Sequence, residues 1–113
     1  MAKNLQISYL LDFYGQMLSQ KQQEILDDYY NSDLSLAEIA EDKEMTRQGV
    51  RDHIKRSETQ LFDMEEKLGL YSRFIGVTKK LEEIISLSNK ILEKDKLNEN
   101  AKKITNLAKE LID

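Results

Sequence analysis

The chain has 113 residues, 40% of them apolar, with 17 Lys/Arg against 21 Asp/Glu for a formal net charge of −4; this is enough for a domain with a modest core. It contains no cysteine, which excludes a disulfide framework and a thiolate metal site, and its lack of proline and its four glycines point to an all-helical chain. The net acidity argues against a binder that relies on phosphate neutralisation alone, but leaves room for a local basic face.

Leu5 to Leu18 carries Ile7, Leu10, Leu11, Tyr14, Met17 and Leu18 on one face, the period of an amphipathic helix. These apolar positions are spaced rather than continuous, so neither a signal peptide nor a transmembrane helix is expected, and a cytoplasmic protein without membrane contact is the default. Ser19 followed by Gln22 has the form of a capping box, opening a second helix to about Tyr30. Asn31-Ser32-Asp33 is a turn cluster. Ser35 and Glu38 form another capping box, opening a short helix through about Asp42, and Lys43-Glu44-Met45 makes a tight turn before Thr46, an N-cap residue.

The helix that follows carries Val50, Ile54, Ser57, Leu61, Met64, Leu68, Tyr71 and Ile75 at alternating spacings of four and three, a heptad seam. The seam fits either an intramolecular face against the C-terminal helices or a dimer interface, and a homodimer is expected, because several amphipathic helices in a small chain leave much apolar face to cover. Gly69, with Lys67 before it, has the form of a helix C-terminus. A further helix is expected from near Thr78 to Lys94, and Asn98 would cap a last one bearing Ala101, Ile104, Leu107, Ala108, Leu111 and Ile112.

The stretch Ser35 to Leu61 reads as a helix-turn-helix, which holds its second helix outward where it can enter the major groove of DNA. Ala40 supplies the small residue where the two helices cross, and Val50 and Ile54 anchor the second helix. Glu44 stands at the turn position that takes a positive φ, usually glycine, at a cost of about 1–2 kcal/mol; Lys43 stands where an apolar residue is common. At about 100° per residue, Gln48, Asp52, Lys55, Arg56 and Thr59 point outward, with Arg47 and Arg51 on the flank. Gln48 suits adenine, Arg47 and Arg51 suit guanine or phosphate, and Asp52 suits cytosine or an i,i+4 pair with Arg56. Residues 46–56 sum to +3, whereas residues 24–44 hold eight acids against one lysine, so a monomer should bind weakly and duplicated half-sites would help. The competing reading is a helical hairpin packed for stability, with a solvated charged face.

At these residues the sequence resembles the YlxM family, bacterial proteins with a helix-turn-helix similar to region four of sigma factors. The resemblance covers Leu10 to about Tyr71: Leu11-Asp12-Phe13-Tyr14-Gly15, Leu18-Ser19-Gln20-Lys21-Gln22, Tyr29-Tyr30, Ser35-Leu36-Ala37-Glu38-Ile39-Ala40, Thr46-Arg47-Gln48-Gly49-Val50 and Asp52-His53-Ile54-Lys55-Arg56. It implies a protein encoded beside the signal recognition particle GTPases, acting in or regulating that pathway, with Thr46, Arg47 and Gln48 opening the recognition helix and no catalytic residues. The family typically has glycine, alanine and tyrosine where this chain has Glu44, Gly49 and Arg51.

Other chemistry is sparse. His53 is the single histidine and lacks partners at metal-ligand spacing; Asp27, Asp28 and Asp33 lack the spacing of a calcium loop. No phosphate-binding glycine loop or nucleophile elbow is present, so no enzyme activity, cofactor or metal is expected. The aromatics Tyr9, Phe13, Tyr14, Tyr29, Tyr30, Phe62, Tyr71 and Phe74 fit either stacking platforms for single-stranded RNA or core, with the hydroxyls of Tyr14, Tyr29 and Tyr30 reaching the surface.

The expected architecture is therefore all-α, about six helices: a sigma region-four-like helix-turn-helix domain without a wing over residues 1–71, and a long helical extension over 72–113 that packs on the core or on a partner subunit. Two functions stay open. One is a nucleic-acid-binding regulator using Thr46, Arg47, Gln48, Arg51, Lys55 and Arg56 on DNA or RNA. The other is a scaffold of the targeting machinery, with acidic residues 24–44 meeting a basic protein partner of the signal recognition particle.

Overall fold

Local capping chemistry sets most helix starts. The computed structural model describes residues 4–112, and among these it contains helices α1 (Gln6–Tyr14), α2 (Gln20–Tyr30), α3 (Leu36–Asp42), α4 (Arg47–Leu68), α5 (Leu70–Lys94) and α6 (Glu99–Ile112), with no strand. Both capping boxes form: Ser19 Oγ accepts from Gln22 N at 3.2 Å while Ser19 N donates to Gln22 Oε1 at 2.9 Å, and Ser35 and Glu38 exchange the equivalent pair at 3.1 Å each. Thr46 Oγ1 accepts from Gly49 N at 2.9 Å and Asn98 Oδ1 from Ala101 N at 3.0 Å. Each such bond satisfies an amide that the first helical turn leaves free.

The chain divides into two compact units, Met1–Tyr71 and Ser72–Asp113. In the first, α4 packs against α1, α2 and α3. Ile7, Leu10, Tyr14, Leu18, Ile25, Leu26, Tyr29, Ile39, Ala40, Val50, Ile54 and Leu61 form one buried cluster, each large aliphatic member contributing about 1.5–3 kcal/mol by leaving water. α1 is shorter than its apolar period suggests. It ends at Tyr14, passes through a 3-10 turn at Gly15–Met17, and reaches an extended Leu18 (φ −90°, ψ 160°). That extended residue buries its side chain and delivers the chain into the Ser19 cap.

The front half of the heptad seam is taken up within the first unit, not by the C-terminal helices or a partner copy. Val50, Ile54, Ser57 and Leu61 are buried inside the first unit, against the N-terminal helices. The pattern then breaks: Gly69 takes the left-handed conformation (φ 61°) and ends α4, and Leu68 is 54% exposed. α5 nevertheless restarts at Leu70, eight residues earlier than the apolar pattern indicates, and runs through Gly76.

The aromatic residues of the first unit serve mainly as packing. Tyr71 stacks on Tyr9 (ring centroids 5.7 Å apart) and meets the edge of Phe13 at 5.8 Å; Tyr29 and Tyr30 meet edge to face at 5.0 Å. The hydroxyls of Tyr14 and Tyr30 do not reach for solvent as foreseen. They donate inward, to Glu65 and Glu58 respectively. Burial first, and then the adjacent carboxylate, pushes both phenols above their ordinary pKa.

The second unit joins α5 to α6 through a tight turn at residues 95–98, in which Asn98 N donates to Asp95 O at 3.2 Å. A connection of this length fits a hairpin of two antiparallel helices. Ser88 Oγ donates to Ala101 O at 2.6 Å, and the residues buried here are small: Ser88, Ala101, Thr105 and Ala108. No helix among the described residues is long and apolar enough to cross a membrane.

Candidate nucleic-acid interface

The turn between α3 and α4 is built from backbone bonds and one strained residue. Met45 N donates to Ala40 O and Lys43 N to Ile39 O, both at 2.9 Å, closing the end of α3. Glu44 takes φ 54°, the left-handed conformation that its position demands of a residue with a Cβ. Ala40 is buried beneath the crossing. Lys43, which stands in place of an apolar anchor, sends its ammonium back to α2, where Nζ lies 2.7 Å from Glu24 Oε2. The hydrogen bond from Lys43, assisted by one from Gln20, holds the Glu24 carboxyl below its ordinary pKa, and the same bond to Glu24 raises Lys43.

A second tie sets the angle of α4 against α2. The Gln22 side chain that completes the Ser19 capping box also donates through Nε2 to Ser57 Oγ at 3.1 Å and to Gln60 Oε1 at 2.6 Å. Ser57 Oγ in turn donates to His53 O at 2.9 Å. One amide thus couples the start of α2 to the middle of α4.

With Val50, Ile54, Ser57 and Leu61 turned inward, the outer face of α4 is fixed. Thr46, Arg47, Gln48, Arg51, Lys55 and Arg56 are all exposed, and Met45, Gly49, Asp52, Lys55 and Arg56 line a shallow groove on this side. Gly49 lies close to the cap: a Cβ built there would stand 3.0 Å from Thr46 Oγ1. Asp52 does not pair with Arg56. Its Oδ1 accepts from Gln48 Nε2 at 2.9 Å, so it occupies the amide that would otherwise be free to read a base edge.

One cation outside the motif lies near the face of α4. Lys21, in the first turn of α2, and Arg56 both act on His53. Burial, and then these two positive charges, hold the imidazole below its ordinary pKa. The sequence held a signal for this. A cation in the first helical turn opposes the helix dipole, so Lys21 was a candidate for an external anionic partner.

Acidic residues are dense on α2 and α3, and α4 carries five of its own: Asp52, Glu58, Asp63, Glu65 and Glu66. Asp27 Oδ1 accepts from Asn31 Nδ2 at 2.6 Å, and Glu24 is engaged by Lys43; Asp27, Glu41 and Asp42 are exposed and Asp28 is half-buried.

The family UPF0122, described as "Putative helix-turn-helix protein, YlxM / p13 like", matches residues 1–110. Among curated proteins, the chain is similar to the UPF0122 protein of Acetivibrio thermocellus, 51% identical over 85 residues covering 75% of this chain and 73% of that protein. It is similar to one from Thermoanaerobacter sp., 42% identical over 105 residues, 93% of this chain and 90% of that protein. A Bacillus cereus relative is 38% identical over 109 residues, 96% of each.

Proposed function

Because the chain belongs to the UPF0122 family of YlxM / p13-like helix-turn-helix proteins, we propose that it is a DNA-binding regulatory protein of the signal recognition particle pathway, with α4 as its recognition helix. The observation that carries this reading is the outer face of α4: four cations and a glutamine in its first ten residues, all exposed, on a helix whose opposite face is anchored in the core. In this reading Thr46 and the free amides of the first turn of α4 meet a phosphate. Arg47 and Arg51 contact guanine or phosphate, Gln48 exchanges Asp52 for a base, and Lys55 and Arg56 grip the backbone together with Lys21. The pathway assignment rests on the gene neighbourhood that the family resemblance implies.

The test is binding of the purified protein to random duplex DNA and to signal recognition particle RNA across a salt series. Each phosphate neutralised on duplex DNA contributes about −0.9 to the log–log slope, so a slope of several units is expected on DNA. The same slope on the RNA alone would transfer the reading from DNA to RNA. A folded protein that binds neither at low salt would overturn it.

A second reading is favoured by the exposed acids Asp27, Glu41 and Asp42 of α2 and α3. In it the protein is a scaffold of the targeting machinery, and the acidic residues of α2 and α3 meet a basic partner. Pull-down with the particle's GTPase subunit, lost on charge reversal at Asp27, Asp28, Glu41 and Asp42, is its expected signature.

A further inference from the structure

The second unit is inverted in its use of apolar residues. Its buried positions hold serine, alanine and threonine, while Ile84, Leu87 and Ile91 on α5 and Ile104, Leu107 and Leu111 on α6 are between 41% and 71% exposed. The pattern is regular. On α5 the inward stripe is Leu81, Ile85, Ser88 and Leu92, and on α6 it is Ala101, Thr105, Ala108 and Ile112, each half-buried or buried. Both exposed stripes sit one residue earlier than these, about 100° to one side. In two antiparallel helices an equal backward step turns toward the same side of the hairpin. The two exposed stripes therefore adjoin as one two-helix apolar face.

We propose that this face is covered by a second copy of the chain, the two hairpins closing into a four-helix bundle. Two observations select a copy over another partner. The rim of the face is charge-complementary to itself: Glu83 and Lys90 flank the stripe on α5, and Lys103 and Glu110 flank it on α6, one acid and one base seven residues apart on each helix. This is the arrangement that pairs across a helical bundle. Finally, a unit of about 40 residues is at the size where association is usually needed for stability, and the six exposed aliphatic residues are the core that a bundle of two hairpins would have. The proposal is independent of nucleic-acid binding and is tested without it.

The experiment is the mass of the full chain by light scattering and sedimentation at micromolar concentration. A species of twice 13.2 kDa is expected, converting to monomer in the double variant Leu87→Glu/Leu107→Glu with its helical circular dichroism retained. A wild-type monomer at tens of micromolar would overturn the proposal, as would a dimer that survives the double variant. Should the glutamates unfold the hairpin, Leu87→Ala/Leu107→Ala decides the matter: a dissociation constant raised tenfold or more supports the face, and an unchanged one refutes it.

Discussion

The phenolic oxygen of Tyr14 donates to Glu65 Oε1 at 2.6 Å, and this one contact starts α5. The same phenolic oxygen accepts from Leu70 N at 3.0 Å, and Glu65 Oε1 accepts from Tyr71 N at 3.1 Å. The first two amides of α5 are thereby satisfied by side chains 56 and 6 residues away. A helix can follow Gly69 directly, without a capping residue of its own.

Tyr14→Phe keeps the packing and removes both bonds. Its expected effect is a lower Tm, with amide exchange at Leu70 and Tyr71 accelerated ahead of exchange in the middle of α4. Equal protection of these amides in the variant would show that the cap is not what holds the joint.

The Glu24–Lys43 pair gives a pH dependence of definite sign. Glu24 has a lowered pKa in the fold, so its contribution is complete above the ordinary carboxylate range and is lost as pH falls through the lowered folded value. Lys43 has a raised one, so its contribution is complete below the ordinary ammonium range and is lost as pH rises through the raised value. Urea midpoints of the wild type and Glu24→Gln should differ near pH 7 and converge in acid below that lowered value. A difference that persists there would assign the effect to packing.

Glu44→Gly relieves the left-handed strain at φ 54° but adds freedom to the unfolded chain. The first term, about 1–2 kcal/mol, exceeds the second, about 0.5–1 kcal/mol, so the variant should gain about 0.5–1 kcal/mol in chemical denaturation. Loss of stability would mean that the Glu44 side chain contributes more than its backbone costs.

Thr105 Oγ1 is buried without a hydrogen-bond partner. Its usual acceptor would be the carbonyl four residues back, and Ala101 O already accepts from Ser88. Replacing an unsatisfied buried hydroxyl by a methyl removes its desolvation cost, so Thr105→Val should stabilise the protein by about 1 kcal/mol. A destabilised variant would reveal a partner for that hydroxyl in solution.

For the nucleic-acid reading, Arg47→Ala/Arg51→Ala should weaken binding while leaving Tm unchanged, since both side chains are exposed. Lys21→Ala, outside the helix-turn-helix, should flatten the salt slope by about 1. An unchanged slope would remove Lys21 from the interface, and unchanged affinity in the arginine variant would remove α4.

What the sequence determined by itself is what lies within about one helical turn. The caps at Ser19, Ser35, Thr46 and Asn98, the strained turn at Glu44, the stop at Gly69 and the inward line of Val50, Ile54 and Leu61 were all legible, because a cap or a helical face is decided by groups three or four residues apart. Tertiary structure decided the rest. It placed the front half of the apolar seam inside the first unit, set Lys43 against Glu24 and Lys21 beside His53, and restarted α5 through Tyr14. It also left the larger apolar stripe of the hairpin exposed while burying the smaller one. A side chain's partner across 19 or 56 residues is chosen by the packing of whole helices, and periodicity along the chain carries no record of which of two adjacent apolar stripes that packing will turn inward.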